Sequence, residues 1–406
     1  MHRVSGDHLT AHTTASRALL RASIPSRRVG PKGSASLDLF RAVAAFLVMI
    51  GHLRTLFFVD YADVEMRTVV IQAIYFVTGL GHQAVMAFFV LSGFFISANI
   101  FRAMNDGRWG WGWYLGRRIT RLYVVLLPAL VIGLLLDHLG LRLFGIEGPY
   151  GGGPGYQRIF VPDRLDWIIF LGNAAYLQDI LVPTFGSNGP LWSLSYEFWY
   201  YLLFPCLVLV TLGRGAGTRL AHGVAAVAIV VLVGERVLLF FTIWLFGVAA
   251  FLAPTVPALA RRGFWRCAAF IVVGILFLGL LGAGKLRILP QTDMADIALG
   301  FACALLVYLL GRTPSDPSRS KGAFDAFAHL AASFSYTLYL THLPALIFLC
   351  AWLTSMGNRH WQPDLLHGAY GLVIAGGTLL YAFGVAQLTE ARTDRVRKAL
   401  FGSRGG

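Results

Sequence analysis

Two side chains within one apolar stretch are equipped for chemistry. SLDLFRAVAAFLVMIGHLRTLFF, residues 36–58, is long enough to cross a bilayer and carries Arg41 near its start and His52 deep inside it. Ionisable groups in hydrocarbon are costly and call for a reason. The eleven-residue spacing amounts to about three helical turns and a rotation of only about 20°, so both side chains share one face, about 16 Å apart along the axis. One is a fixed cation and the other a potential base. This face reads as one wall of a membrane-embedded site, with the guanidinium holding an anionic group near one surface and the imidazole working further in.

Further polar groups fall at matching depths. RRITRLY supplies Arg117, Arg118 and Arg121; Arg118 and Arg121 are one helical turn apart, so their guanidinium forks face one target, which suits a phosphate-rich ligand. Counted along their helices, His52 lies about 22 Å and His342 about 16 Å from the inner surface, while Glu197 lies about 10 Å from the outer one. In a hydrocarbon core of about 30 Å these depths overlap. A polyanion held at the inner side with chemistry one extended arm away has the shape of acyl-coenzyme A. A neutral imidazole beside the thioester would take the proton of an attacking hydroxyl, with a carboxylate fixing its tautomer. The expected roles are therefore His52 and Glu197 catalytic, with Arg41, Arg118 and Arg121 on the phosphates of acyl-CoA as a donor substrate. Trp192, Ser193, Ser195, Tyr339 and His342 are expected to contact substrate, and neither a permanently bound cofactor nor a metal is expected.

Each residue also has a plainer reading. His52 and His342 would be satisfied by neighbouring carbonyls or hydroxyls, and Glu197 by Trp192, Ser193 or Tyr200. The arginines also serve membrane topology. Ser193 and Ser195 can satisfy carbonyls of their own helix. Ser92 beside Gly93 fits close helix packing, since no G-x-S-x-G surrounds it. His2 with Asp7, and His360 with Asp364 across Pro363, form acyltransferase-like HxxxxD and HxxxD spacings without a surrounding signature, and are read as coincidence. Cys206, Cys267, Cys303 and Cys350 are dispersed with no ligand spacing and read as small core residues.

The elements that position these groups are transmembrane helices. The chain of 406 residues is 57% hydrophobic and 13% charged, with apolar residues in runs, which makes it an all-α, polytopic membrane bundle. The net charge of +14 does not point to nucleic acid, because Lys and Arg concentrate in alternate connections. With about ten spans and both termini cytoplasmic, 24 Lys and Arg lie inside and 9 outside; Arg41, in the first span, completes the 34. Expected spans are 36–58, 81–101, one ending near 144, one from Pro190, then 219–233, 237–253, 264–282, 294–311, 331–355 and 366–388. RWGWGWYLGRRITRLY reads as an interfacial helix before the third span, and DWIIFLGNAAYLQDILVPTFGSNG as a short or re-entrant one. Residues 1–35 read as a disordered cytoplasmic tail without a cleaved signal, 36–390 as one membrane domain, and 391–406 as a basic cytoplasmic tail.

Four blocks carry a family resemblance: LDLFRAVAAFLVMIGH (37–52), FFVLSGFFIS (88–97), RRITRLY (117–123) with PLWSLSYEFWYYLLFP (190–205), and SYTLYLTHLP (335–344). In this order they resemble the acyltransferase 3 family of bacterial integral-membrane O-acyltransferases. The resemblance implies a bundle of about ten helices in the bacterial cytoplasmic (inner) membrane. It implies transfer of an acyl group, commonly acetyl from acetyl-CoA, to hydroxyls of an extracytoplasmic or lipid-linked carbohydrate such as lipopolysaccharide or exopolysaccharide. The family's R-x10-H falls on Arg41 and His52, its RxxR on Arg118 and Arg121, and its WSLSxE on Trp192 to Glu197. One departure is the lack of a proline soon after Arg121, the first being Pro128, which implies a differently shaped inner end of span three. Another is the absence of an appended hydrolase-like domain, so that the protein acts directly on its acceptor or through a separate partner. Two competing classes are a transporter or flippase for a glycan-linked or anionic substrate, and a non-catalytic member of a glycan-assembly complex.

Overall fold

Apolar runs bounded by Gly, Pro and charged residues fold as helices along the whole described chain. The computed structural model describes residues 31–153, 159–260, 263–285, 293–313, 322–357 and 360–402. The expected tail over 1–30, with its His2 and Asp7, lies outside them. In chain order the helices are α1 (Pro31–Phe57), α2 (Val69–Thr78), α3 (Gly81–Asn105), α4 (Trp111–Phe144), α5 (Trp167–Ala174), α6 (Trp192–Leu212), α7 (Ala216–Leu252), α8 (Pro257–Ala260), α9 (Phe264–Lys285), α10 (Asp293–Gly311), α11 (Ala323–Ser333), α12 (Ser335–Ser355), α13 (Leu365–Leu388) and α14 (Thr393–Phe401). Nine of these are long and apolar enough to cross a membrane among the described residues. Rows of exposed apolar side chains, such as Leu127, Val131, Leu135, Leu139 and Leu143 on α4, recur every fourth residue and face the lipid.

The count of nine rather than ten has a local cause. The expected spans 219–233 and 237–253 are two arms of the single element α7, broken at Gly234, whose φ of 76° and ψ of 178° leave the helical region. Packing shows that the arms run in opposite directions. His222 in the first arm accepts a hydrogen bond from Trp111, just beyond the end of α3, whereas Phe240, Trp244 and Phe251 in the second pair with Phe89, Ser92 and Phe101 in turn along α3. The close approach of that second arm depends on two glycines. A Cβ at Gly93 would sit 2.0 Å from the Trp244 carbonyl oxygen, and one at Gly247 2.0 Å from that of Val90.

Three other expectations shift at their edges. The basic aromatic segment before span three is the first turns of one continuous helix, α4, of about 50 Å by its rise per residue. Span nine begins at Ser335, because the chain breaks at Phe334 and the preceding residues form the separate helix α11. The first helix starts at Pro31, before the expected Ser36. The short helix α5 forms as expected, followed by irregular chain over 175–189 that is pinned by side chains. Asn173 donates to the carbonyls of Ile169 and Pro183 and accepts from the Phe185 amide, Gln178 donates to the Leu191 carbonyl, and Trp199 donates to the Tyr176 carbonyl. These bonds supply what water cannot supply to non-helical backbone at membrane depth.

Candidate active site

Helix α1 presents Arg41 and His52 to the bundle interior, where α3, α4, α6 and α12 close around them. The site is a row of three cavities. A mouth of about 550 Å³ opens where α3 ends and α4 begins, and Arg41, Asn99, Arg102, Arg117, Arg118 and Arg121 are among the residues that line it. Arg41, Asn99, Arg118 and Arg121 also line a central cavity of about 310 Å³, so they form the neck between the two. Val85 and Tyr339 are common to the central cavity and to a third, of about 480 Å³, which contains His52 and Trp192. The guanidinium groups of Arg41, Arg118 and Arg121 and the imidazole of His52 thus border a row of adjacent cavities, with Tyr339 and Val85 as the wall between the central cavity and that of His52.

At the neck, Arg41 donates to Asp38, one turn earlier, at 3.1 Å and to the Ala332 carbonyl at 3.4 Å, where α11 ends. Asp38 in turn pairs with His329 at 2.9 Å. The Arg118 guanidinium lies over the rings of Tyr114 and Tyr201. Both Arg41 and Arg118 keep a buried Nε–H with no hydrogen-bond partner. Unpaired buried donors are rare, and these two border a space of ligand size.

The reactive end is a histidine pair. His52 Nδ1 and His342 Nε2 are 2.9 Å apart with the rings stacked, and His342 Nδ1 lies 2.8 Å from the Leu338 carbonyl oxygen. That carbonyl can only accept, so His342 carries its proton on Nδ1 and its Nε2 is an acceptor. The proton between the rings therefore belongs to His52 Nδ1, which leaves the lone pair of a neutral His52 on Nε2.

The other expected residues divide. Glu197 lines the central cavity, not the His52 cavity, and its carboxylate accepts from the Tyr201 hydroxyl one turn later on α6. The structure therefore gives His52 an imidazole partner where the sequence suggested a carboxylate. Tyr339 shares a 2.6 Å hydrogen bond with Ser193 and donates to the Pro190 carbonyl at 3.2 Å, bonds that fix its ring in the wall between the two cavities. Ser195 is turned away: it donates to the carbonyls of Gln178 and Trp192 and anchors the irregular loop. Asp364 caps α13 through the amide and ring of His367, an ordinary structural use for half of the HxxxD spacing. Sequence reasoning missed Asp38, Asn99, Arg102 and Tyr201. Arg102 carried a signal as a basic residue ending an apolar run, and Tyr201 and Asp38 by their one-turn spacing from Glu197 and Arg41.

The fold and this interior define a polytopic α-helical membrane protein that holds a row of cavities from an arginine-lined mouth to an imidazole pair, His342 buried and His52 half-buried. Acyl_transf_3, described as an acyltransferase domain, matches residues 34–386. The chain belongs to this family. A segment of 182 residues is 29% identical to "Acyltransferase MdmB" of Streptomyces mycarofaciens; it makes up 45% of this chain and spans 40% of that relative's length. No solved structure matches the chain.

Proposed function

We propose that the protein is a membrane O-acyltransferase that moves an acyl group, acetyl in the simplest case, from acyl-CoA to a hydroxyl of a cell-surface or lipid-linked carbohydrate. Family membership supports the reaction class, and the row of cavities supports the route. The donor's phosphates bind Arg41, Arg118 and Arg121 at the neck, and its arm runs through the central cavity past Glu197 and Tyr339 to bring the thioester to His52. The acceptor occupies the third cavity, beside Trp192. His52 Nε2 takes the hydroxyl proton as the oxygen attacks the thioester carbonyl. The C–S bond breaks, and the leaving thiolate takes that proton back from the imidazolium, which releases free CoA thiol. His342 holds the His52 tautomer and shares the positive charge. The charge bias of the connections supports a mouth that faces the cytoplasm and both termini cytoplasmic, with acceptor reaching the site from the other side or from the bilayer; the bacterial inner membrane is the location that goes with this reading.

The observation that carries the proposal is the proton order from Leu338 through His342 to His52, because it leaves a base lone pair at the end of a path with an anion-binding mouth. The test is mass spectrometry of surface glycans from cells with and without the gene. Loss of an O-acyl mass supports the proposal, and the mass identifies both the acyl group and its acceptor. Retention of every O-acyl group, with unfinished glycan accumulating on the cytoplasmic face, supports a transporter instead.

A further inference from the structure

The arginines of the mouth fall into two sets. Arg41, Arg118 and Arg121 stand at the neck and border both the mouth and the central cavity, whereas Arg102, Arg108, Arg117 and Arg397 border the mouth alone; of these, Arg108 is paired with Asp106, and Arg102 is bonded to Asn99 and the Ala98 carbonyl. Arg397 comes from α14, a short helix that packs along α4, where a Cβ at Gly116 would touch the Phe401 ring at 3.5 Å. The charged neighbours of Arg117 are Arg397, Arg118 and Arg108 against the single carboxylate of Asp394. Asp394 is paired with Arg397 at 3.1 Å. The other acid of the mouth, Glu390, is committed to the amide and hydroxyl of Thr337. Positive charge in the outer set is therefore not balanced by the protein. Trp113 also borders the mouth, with the Arg117 guanidinium over its ring and its own indole N–H buried and unpartnered.

Arginines at the neck and arginines that border the mouth alone, with a donor-only aromatic beside the latter, match a ligand with two anionic groups. We infer that the outer set, Arg117 with Arg397 of the C-terminal helix, is a distinct phosphate subsite that reads the 3′-phosphate of the donor's ribose while the neck arginines hold its diphosphate. This rests on the acyl-CoA reading and narrows it: the donor is selected as a 3′-phosphorylated nucleotide, and α14 forms part of the binding wall. A single bidentate or paired guanidinium contact to a phosphate supplies this kind of discrimination.

The test is equilibrium binding of coenzyme A and of 3′-dephospho-coenzyme A to the full-length purified protein in detergent, for wild type, Arg397→Ala, Arg117→Ala and Arg118→Ala. Wild type is expected to bind coenzyme A roughly tenfold to a hundredfold tighter than the dephospho form, the range for one charge-assisted contact. Arg397→Ala and Arg117→Ala are expected to abolish that preference while leaving dephospho-coenzyme A affinity at the wild-type value, which also reports an intact fold. Arg118→Ala is expected to weaken both ligands. Equal binding of the two nucleotides by wild type, or equal loss of both in Arg397→Ala and Arg117→Ala, overturns the subsite and leaves the acyl-CoA reading standing. Failure of wild type to bind either nucleotide overturns that reading together with the subsite.

Discussion

Replacing His342 with Phe is the most discriminating perturbation of the histidine pair. The ring stacks on His52 and accepts its Nδ1–H at 2.9 Å, and Phe keeps a flat ring but no acceptor. A buried donor without its partner costs about 1–3 kcal/mol. His52 avoids that cost by moving its proton to Nε2, the nitrogen that must be free to act as a base. With about 1.4 kcal/mol per factor of ten, the working tautomer falls by about fivefold to a hundredfold or more. The expected result is a fall in kcat of about a hundredfold, inside the range a positioned general base contributes. The donor's KM is expected to stay within about twofold, because the neck arginines are untouched. His342→Gln, which keeps an acceptor, is expected to recover part of the rate. The assay is thiol release from acyl-CoA in the presence of acceptor, with thermal unfolding as the folding check. A folded His342→Phe protein with wild-type kcat, or one altered only in donor KM, would refute the tautomer argument.

Other expectations follow from the same geometry. Tyr339→Ala removes the wall between the central and His52 cavities and is expected to raise acceptor-independent hydrolysis of acyl-CoA several-fold, whereas Tyr339→Phe, which keeps the ring, is not; thiol release without acceptor measures both. Gly93→Ala places a Cβ 2.0 Å from the Trp244 carbonyl oxygen and is expected to destabilise the α3–α7 crossing by about 1–3 kcal/mol, read as a lower thermal midpoint in detergent. Asp364→Ala is expected to lower stability modestly by removing the α13 cap. The His367 amide and ring hold the Asp364 carboxyl below the ordinary carboxylate range, so the cap's contribution is full at neutral pH and is lost as pH falls through that depressed value. Denaturation midpoints of wild type and Asp364→Ala across acidic pH are expected to converge.

What the sequence disclosed was whatever a single helix carries. The common face of Arg41 and His52 follows from their spacing alone, and the one-turn spacing of Arg118 and Arg121 places them together at the neck. What it concealed depends on packing between distant segments. His52 meets His342 across 290 positions, and nothing within either helix states that an imidazole rather than Glu197 arrives there. Glu197 finds its partner locally, at Tyr201 on its own helix, a contact that was open to helical arithmetic. Ser195 resembled a substrate ligand because its type suits the role, but its side chain faces the Gln178 loop. The turn at Gly234 fused two expected spans into one element because a single glycine with positive φ reverses the chain without a loop.

The central claim is that His52 accepts the proton of an acceptor hydroxyl as it attacks a CoA thioester. The direct measurement is transfer of label from acetyl-CoA to glycan acceptor by the full-length protein in proteoliposomes, with wild type compared to His52→Gln. Wild type is expected to label the glycan, and His52→Gln to bind coenzyme A normally while its transfer falls by about a hundredfold or more. A folded His52→Gln protein that transfers label at the wild-type rate would contradict it.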